Sequence, residues 1–201
     1  MSENKRMEII FNESIALKQK VIDTGVLADL VHIADVISDA IAKGGRLYLC
    51  GNGGSAADAQ HLAAELLIRL RFSVNRDSLP ALSLATDISS VTACGNDYGF
   101  DDIFARPLAG LGREGDVLLG ITTSGKSPNV IKAFVKAREM GIKTIGFLGA
   151  TGLPALDYCD LAFLVPSMDT ARIQEVHITA GHALMETIED NLLARGYISR
   201  I

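Results

Sequence analysis

From residue 46 onward, short apolar runs alternate with longer segments of helical periodicity, and that alternation leaves few folds open. Arg46–Cys50, Pro80–Ala85, Asp116–Ile121, Lys143–Leu148 and Leu161–Val165 are short, apolar and bounded by Gly, Asp or Pro, the marks of buried strands. Between them lie the helix-like segments Ala56–Ile68, Ser89–Leu111 and Pro128–Met140, the second expected to break near Gly95–Gly99. Ile173–Ala194 follows the last strand as a further helix. Strands apolar along their whole length must be covered on both faces. The pattern therefore predicts an α/β fold, a parallel sheet with helices on either side.

The first 43 residues lack strand runs. Ile9, Phe11, Ile15 and Leu17 form one apolar set, and Val31, Ile33, Ala34, Ile37 and Ile41 another. They predict two amphipathic helices, separated near Asp23–Gly25. Helices outside an α/β repeat commonly offer a packing surface to another subunit. With no linker, repeat or low-complexity tract, residues 1–201 are expected to form one domain: N-terminal helices over 1–43 and the sheet unit over 44–201.

Several function classes recede on composition. No stretch approaches the roughly 20 apolar residues that span a bilayer, and the charged start Ser2-Glu3-Asn4-Lys5-Arg6 does not read as an export signal. A soluble, cytoplasmic protein with no membrane partner is the expectation. Cys50, Cys94 and Cys159 are odd in number and lack C-x-x-C spacing, so free, buried thiols are expected. A net charge of −5 with no dense Lys/Arg run argues against a nucleic-acid surface. It leaves room for a small anion, because a few local donors bind phosphate whatever the overall charge.

Two loops invite such an anion. The first strand ends in Gly51-Asn52-Gly53-Gly54-Ser55 and passes into a helix, where bare amides and the helix N-terminus favour negative charge. Ser55 alone would be read as an N-cap. The third strand delivers Thr122-Thr123-Ser124-Gly125-Lys126-Ser127, with Pro128 suited to a first helical turn. Hydroxyls there give neutral donors for a phosphomonoester, although such a turn could simply cap its own helix. In parallel sheets ligands gather beyond the carboxyl ends of the strands, where both loops would lie.

A rival reading starts from the same residues. Gly120–Ser127, GITTSGKS, fits the nucleotide-binding pattern G-x-x-x-x-G-K-[ST], and Asp87 could imitate a magnesium-holding carboxylate. The motif is short, the first strand already has its own glycine loop, and a nucleotide site leaves the following histidines and glutamate without a task.

His61 and Glu65 are four apart on a predicted helix, one face and close enough to share a metal. Singly, His61 would be a hydrogen-bonded structural residue and Glu65 a partner for Arg69. The last helix adds Gln174, Glu175, His177 and His182. By spacing, Gln174 and His177 pair more easily. His182 lies a rise of roughly 12 Å beyond Gln174 on a regular helix. For both to hold one ion, Gln174 must sit at an irregular helix start or the site must draw on another subunit.

GNGGSAADAQHLAAEL, TACGNDYGFDDIF, TTSGKS and RIQEVHITAGH, in that order and spread over nearly the whole chain, resemble the phosphoheptose isomerases of the SIS-domain family. The resemblance implies a five-stranded, flavodoxin-like doubly wound sheet and a homotetramer with active sites between subunits. It implies zinc held by His61, Glu65, Gln174 and His182. Substrate contacts are implied for Asn52, Gly53, Gly54, Asn96, Asp97, Thr122, Thr123, Ser124 and Ser127, with Glu65, Gln174, Ser55 and Arg69 assisting. His177 becomes the structural histidine, and Lys126 replaces the Asn more usual there. The implied reaction is an aldose–ketose isomerisation of sedoheptulose 7-phosphate to D-glycero-D-manno-heptose 7-phosphate, for lipopolysaccharide or capsule. Glu65 and His182 are the implied proton-handling pair. Two further readings share the loops: a non-catalytic SIS-type regulator, and an isomerase for another sugar phosphate.

Overall fold

The structure, a computed structural model, describes residues 2–199. Within these residues five parallel strands form one sheet: β1 (Leu47–Gly51), β2 (Ala81–Ser83), β3 (Val117–Thr122), β4 (Lys143–Leu148) and β5 (Leu161–Leu164), in spatial order β2-β1-β3-β4-β5. The order reverses direction between β1 and β3, which are direct neighbours. Ligand sites in open parallel sheets form at such a switch point, and both predicted loops leave the sheet there.

Among the described residues, seven α-helices accompany the sheet: α1 (Glu3–Asp23), α2 (Leu27–Ala42), α3 (Gly54–Ala64), α4 (Ile88–Asp97), α5 (Ala105–Leu111), α6 (Pro128–Glu139) and α7 (Thr170–Ala194). Successive strand residues point to opposite faces, and each face has its own core. Leu47, Leu49, Leu119, Ile121 and Phe147 pack with Ile33 and Ile37 of α2, Leu62 of α3, and Leu184 and Ile188 of α7. Tyr48, Cys50, Leu118 and Leu148 join Leu108 of α5 and Phe134 of α6 on the other face. This double burial is what the unbroken apolar strands required.

The expected strands and helices are all present, most with shifted ends and β4 with the ends expected. β2 shortens to three residues, as suits an edge strand. The Ser89–Leu111 segment breaks as expected, leaving α4 and α5 either side of a short 3₁₀ turn at Phe100–Asp102. α7 starts at Thr170 because the Asp169 carboxylate accepts from the Ala171 and Arg172 amides, an N-cap upstream of the first apolar residue.

The N-terminal helices differ from each other. α2 buries Ile33, Ala34, Ile37 and Ile41, as its pattern predicts. α1 buries only Leu17 and Val21, while Met7, Phe11 and Ile15 are 55–70% exposed. Its apolar set thus faces outward over most of its length, because only its second half reaches the sheet unit's core. Among the described residues, no helix is long and apolar enough to cross a membrane.

Cys50 and Cys94 are buried and Cys159 is half-buried, all three free. Burial raises the Cys50 thiol far above its ordinary value and the Cys159 thiol to about 12, so neither forms a thiolate at neutral pH. His177 is fully buried, its ring 5.7 Å from that of Phe147. Burial holds its pKa down at about 4, and the neutral ring donates from Nε2 to the Leu148 carbonyl at 3.2 Å. It ties α7 to the end of β4.

Candidate active site

The loop after β1 needs its glycines for two distinct reasons. Gly53 adopts φ 56°, a conformation other residues resist. At Gly54 a Cβ would lie 2.3 Å from Gln174 Nε2, so only glycine lets the α7 amide rest against this helix start. The Ser55, Ala56 and Ala57 amides bond back to the Asn52 and Gly53 carbonyls, and Ser55 is buried.

The loop after β3 is braced internally. Thr122 Oγ1 and Ser127 Oγ are 3.1 Å apart, and Ser124 Oγ accepts from the Lys126 amide at 3.1 Å. Ser127 precedes α6 but makes no side-chain cap. Gly120 of the nucleotide-like pattern lies inside β3, where a Cβ would sit 2.4 Å from the Phe134 ring. Its smallness serves packing, and Lys126 is exposed ahead of the helix.

One residue missed in the sequence joins the two loops. Asn52 and Asn129 exchange side-chain amide hydrogen bonds, 2.8 Å in each direction, and Asn129 is fully buried. Nothing local marks Asn129, whose partner is 77 positions away.

The expected metal residues divide. His61 Nε2 and His182 Nε2 face each other at 2.7 Å, their rings at 82° and 4.9 Å between centroids. Glu65 Oε1 is 3.2 Å from His61 Nε2, and the three donor atoms fit within 4.8 Å. Two imidazoles and a carboxylate converging in this way could hold one metal ion, and nitrogen and carboxylate donors are types that zinc accepts. Packing brings them together: α3 and α7 run side by side, and Gly181 has no side chain where Leu62 presses in.

Gln174 sits toward the opposite end of α3 from that trio. Its amide lies against Gly54, in the first turn of α3, whereas His61 and Glu65 come from the last turn and the segment beyond. α7 is regular from Thr170, so no irregular start shortens its distance to His182. Beside Gln174 is Asp58, buried with Oδ2 unpartnered. Desolvation raises the Asp58 pKa, opposed by a hydrogen bond from Gln174 and by the charge of His61. A 230 Å³ cavity opens here between Asp58, Gln174 and Glu175.

The remaining expected contacts are scattered in one chain. Asn96 donates to Asp97 at 2.7 Å at the exposed end of α4, where a 450 Å³ cavity is lined by Asp97, Tyr98 and Arg106. Arg69 is exposed at the end of a π-helical segment, Glu65–Arg69, with its guanidinium 5.0 Å from the Phe72 ring centroid.

This chain matches a known family in sequence and fold. A family model described as the SIS domain matches residues 11–149. The chain is 52% identical over 168 residues to a phosphoheptose isomerase of Chlorobaculum parvum, covering 83% of this chain and 79% of that one. The solved phosphoheptose isomerase of Neisseria gonorrhoeae is 40% identical, with TM-score 0.87 over 94% of this chain and all of the other. That of Francisella tularensis is 34% identical, with TM-score 0.90 over the same shares. The chain belongs to the SIS-domain family and, within it, to the phosphoheptose isomerases.

Proposed function

We propose that the chain is a zinc-dependent isomerase converting sedoheptulose 7-phosphate into D-glycero-D-manno-heptose 7-phosphate in the cytoplasm, feeding bacterial lipopolysaccharide or capsule synthesis. The observation that carries the metal-dependent part is the convergence of His61, Glu65 and His182. Zinc on those residues, with Gln174 as fourth ligand, would supply a Lewis acid that polarises the ketose carbonyl.

The chain's own residues do the rest. Glu65 takes the proton from C1 of the ketose and returns it to C2, and His182 moves hydroxyl protons on the opposite side. Asn52–Gly54 and Thr122–Ser127 hold the phosphate, so binding energy fixes the reacting carbons. Ser55, Arg69, Asn96 and Asp97 complete the substrate contacts.

We take the working unit to be a homotetramer with its sites between subunits. In one chain the anion loops and Gln174 lie at the start of α3 and the trio lies at its far end. A second copy meeting that far end brings loops, Gln174 and trio into one cleft. The outward apolar residues Met7, Phe11 and Ile15 of α1 offer the packing surface. The whole chain acts as one domain in this reading.

Incubating purified protein with sedoheptulose 7-phosphate, with and without a chelator, tests it. Aldose phosphate should form, stop forming with chelator and return when zinc is restored. Turnover indifferent to chelation refutes the metal-dependent reading, and no turnover in the zinc-loaded protein refutes the substrate.

A further inference from the structure

The main chain carrying the trio's carboxylate leaves the regular helical ladder at Glu65, where Glu65–Arg69 winds as a π-helix. Such winding takes carbonyls away from their ordinary partners, and buried carbonyls need donors. The Leu79 amide donates to the Leu66 carbonyl at 3.1 Å, and a side-chain donor comes from Arg76, which is fully buried. Its Nη2 donates to the Glu65 carbonyl at 3.0 Å, and its Nη1 to the carbonyls of Leu66 and Asp77, each at 2.9 Å.

A guanidinium stays charged in a protein, and burying it alone is costly. The answering carboxylate is Glu189 of α7, also fully buried, which accepts from Arg76 Nε at 2.6 Å. Its second oxygen accepts from Arg71 Nε at 2.7 Å, and Arg71 reaches on to Asp190 at 2.5 Å. Glu189 stands two helical turns beyond His182 on the same face of α7.

We propose that Arg76 and Glu189 are positioning residues, a buried clamp that pins the main chain of Glu65 to the helix face presenting His182. An apolar pair could replace the two charges and fill the same space, but it would take this donor from the Glu65, Leu66 and Asp77 carbonyls. Only a planar fork reaches two successive carbonyls while pairing with a carboxylate, and here those carbonyls belong to Glu65 and its neighbour. The clamp fixes the spacing between carboxylate and imidazole without touching substrate. It rests on the reading of Glu65 and His182 as the proton-handling pair.

The test uses Arg76→Lys, which keeps the charge, and the double variant Arg76→Met/Glu189→Met, which removes both charges and keeps the bulk. In the zinc-loaded double variant kcat should fall about ten- to hundredfold with KM nearly unchanged, and Arg76→Lys should fall between it and wild type. Amide exchange in the peptide covering residues 65–70 should quicken by about tenfold or more, while circular dichroism stays native. Unchanged protection of that peptide, whatever the kcat, overturns the clamp, and so does wild-type kcat in the double variant. Wild-type protein that neither binds zinc nor isomerises substrate overturns the functional reading instead, and the exchange measurement still decides the clamp.

Discussion

Glu65→Gln should lower kcat for aldose formation by about a thousandfold, the scale on which a positioned general base contributes. The substitution keeps size and shape, and the Arg76 bonds go to the main chain of Glu65, so the local winding survives. The phosphate is held by loops that do not include this side chain, so KM should change little. Single-turnover and steady-state assays on zinc-loaded protein, with circular dichroism as a folding control, make the comparison. Turnover within a few fold of wild type would remove Glu65 from the proton transfer.

His182→Ala has a different main consequence, loss of the metal. It deletes one of three donors that meet within 4.8 Å, whereas losing an outer-shell partner alone typically costs about ten- to hundredfold in metal affinity. The loss in zinc affinity should exceed that range, and isomerisation should disappear with it. His182 is half-buried on a long helix anchored by Leu184, Met185 and Ile188, so folding should persist. Competition with a chromophoric chelator reads the affinity, and unchanged zinc binding in the folded variant would show that the imidazole is no ligand.

Periodicity made the scaffold legible. The apolar runs at 143–148 and 161–165 lie within a residue of β4 and β5, because buried strands permit few polar residues and end at Gly, Asp or Pro. α1 was harder to read. Its apolar set has the spacing of a helix face, but spacing does not say whether that face meets this chain's core or solvent.

The site divided along the same line. His61 and Glu65 were legible together because four residues apart on a helix means side by side. The tension between Gln174 and His182 was also visible, since a regular helix separates them by roughly 12 Å, and the structure retains that separation. Asn129, Asp58, Arg76 and Glu189 were not legible. Each acts through a tertiary contact, and Arg76 meets Glu189 across 113 positions of chain. Locally, Arg76 looks like a surface cation in a polar loop and Glu189 like a solvated helix residue; only packing makes them a pair.

The most direct measurement is anomalous diffraction at the zinc edge from crystals grown with zinc and sedoheptulose 7-phosphate. The account predicts a metal peak between His61, Glu65 and His182, a fourth donor from Gln174, and the substrate phosphate on Thr122–Ser127 within the same cleft. A metal peak away from these imidazoles, or a phosphate bound in a cleft remote from the metal, would contradict it.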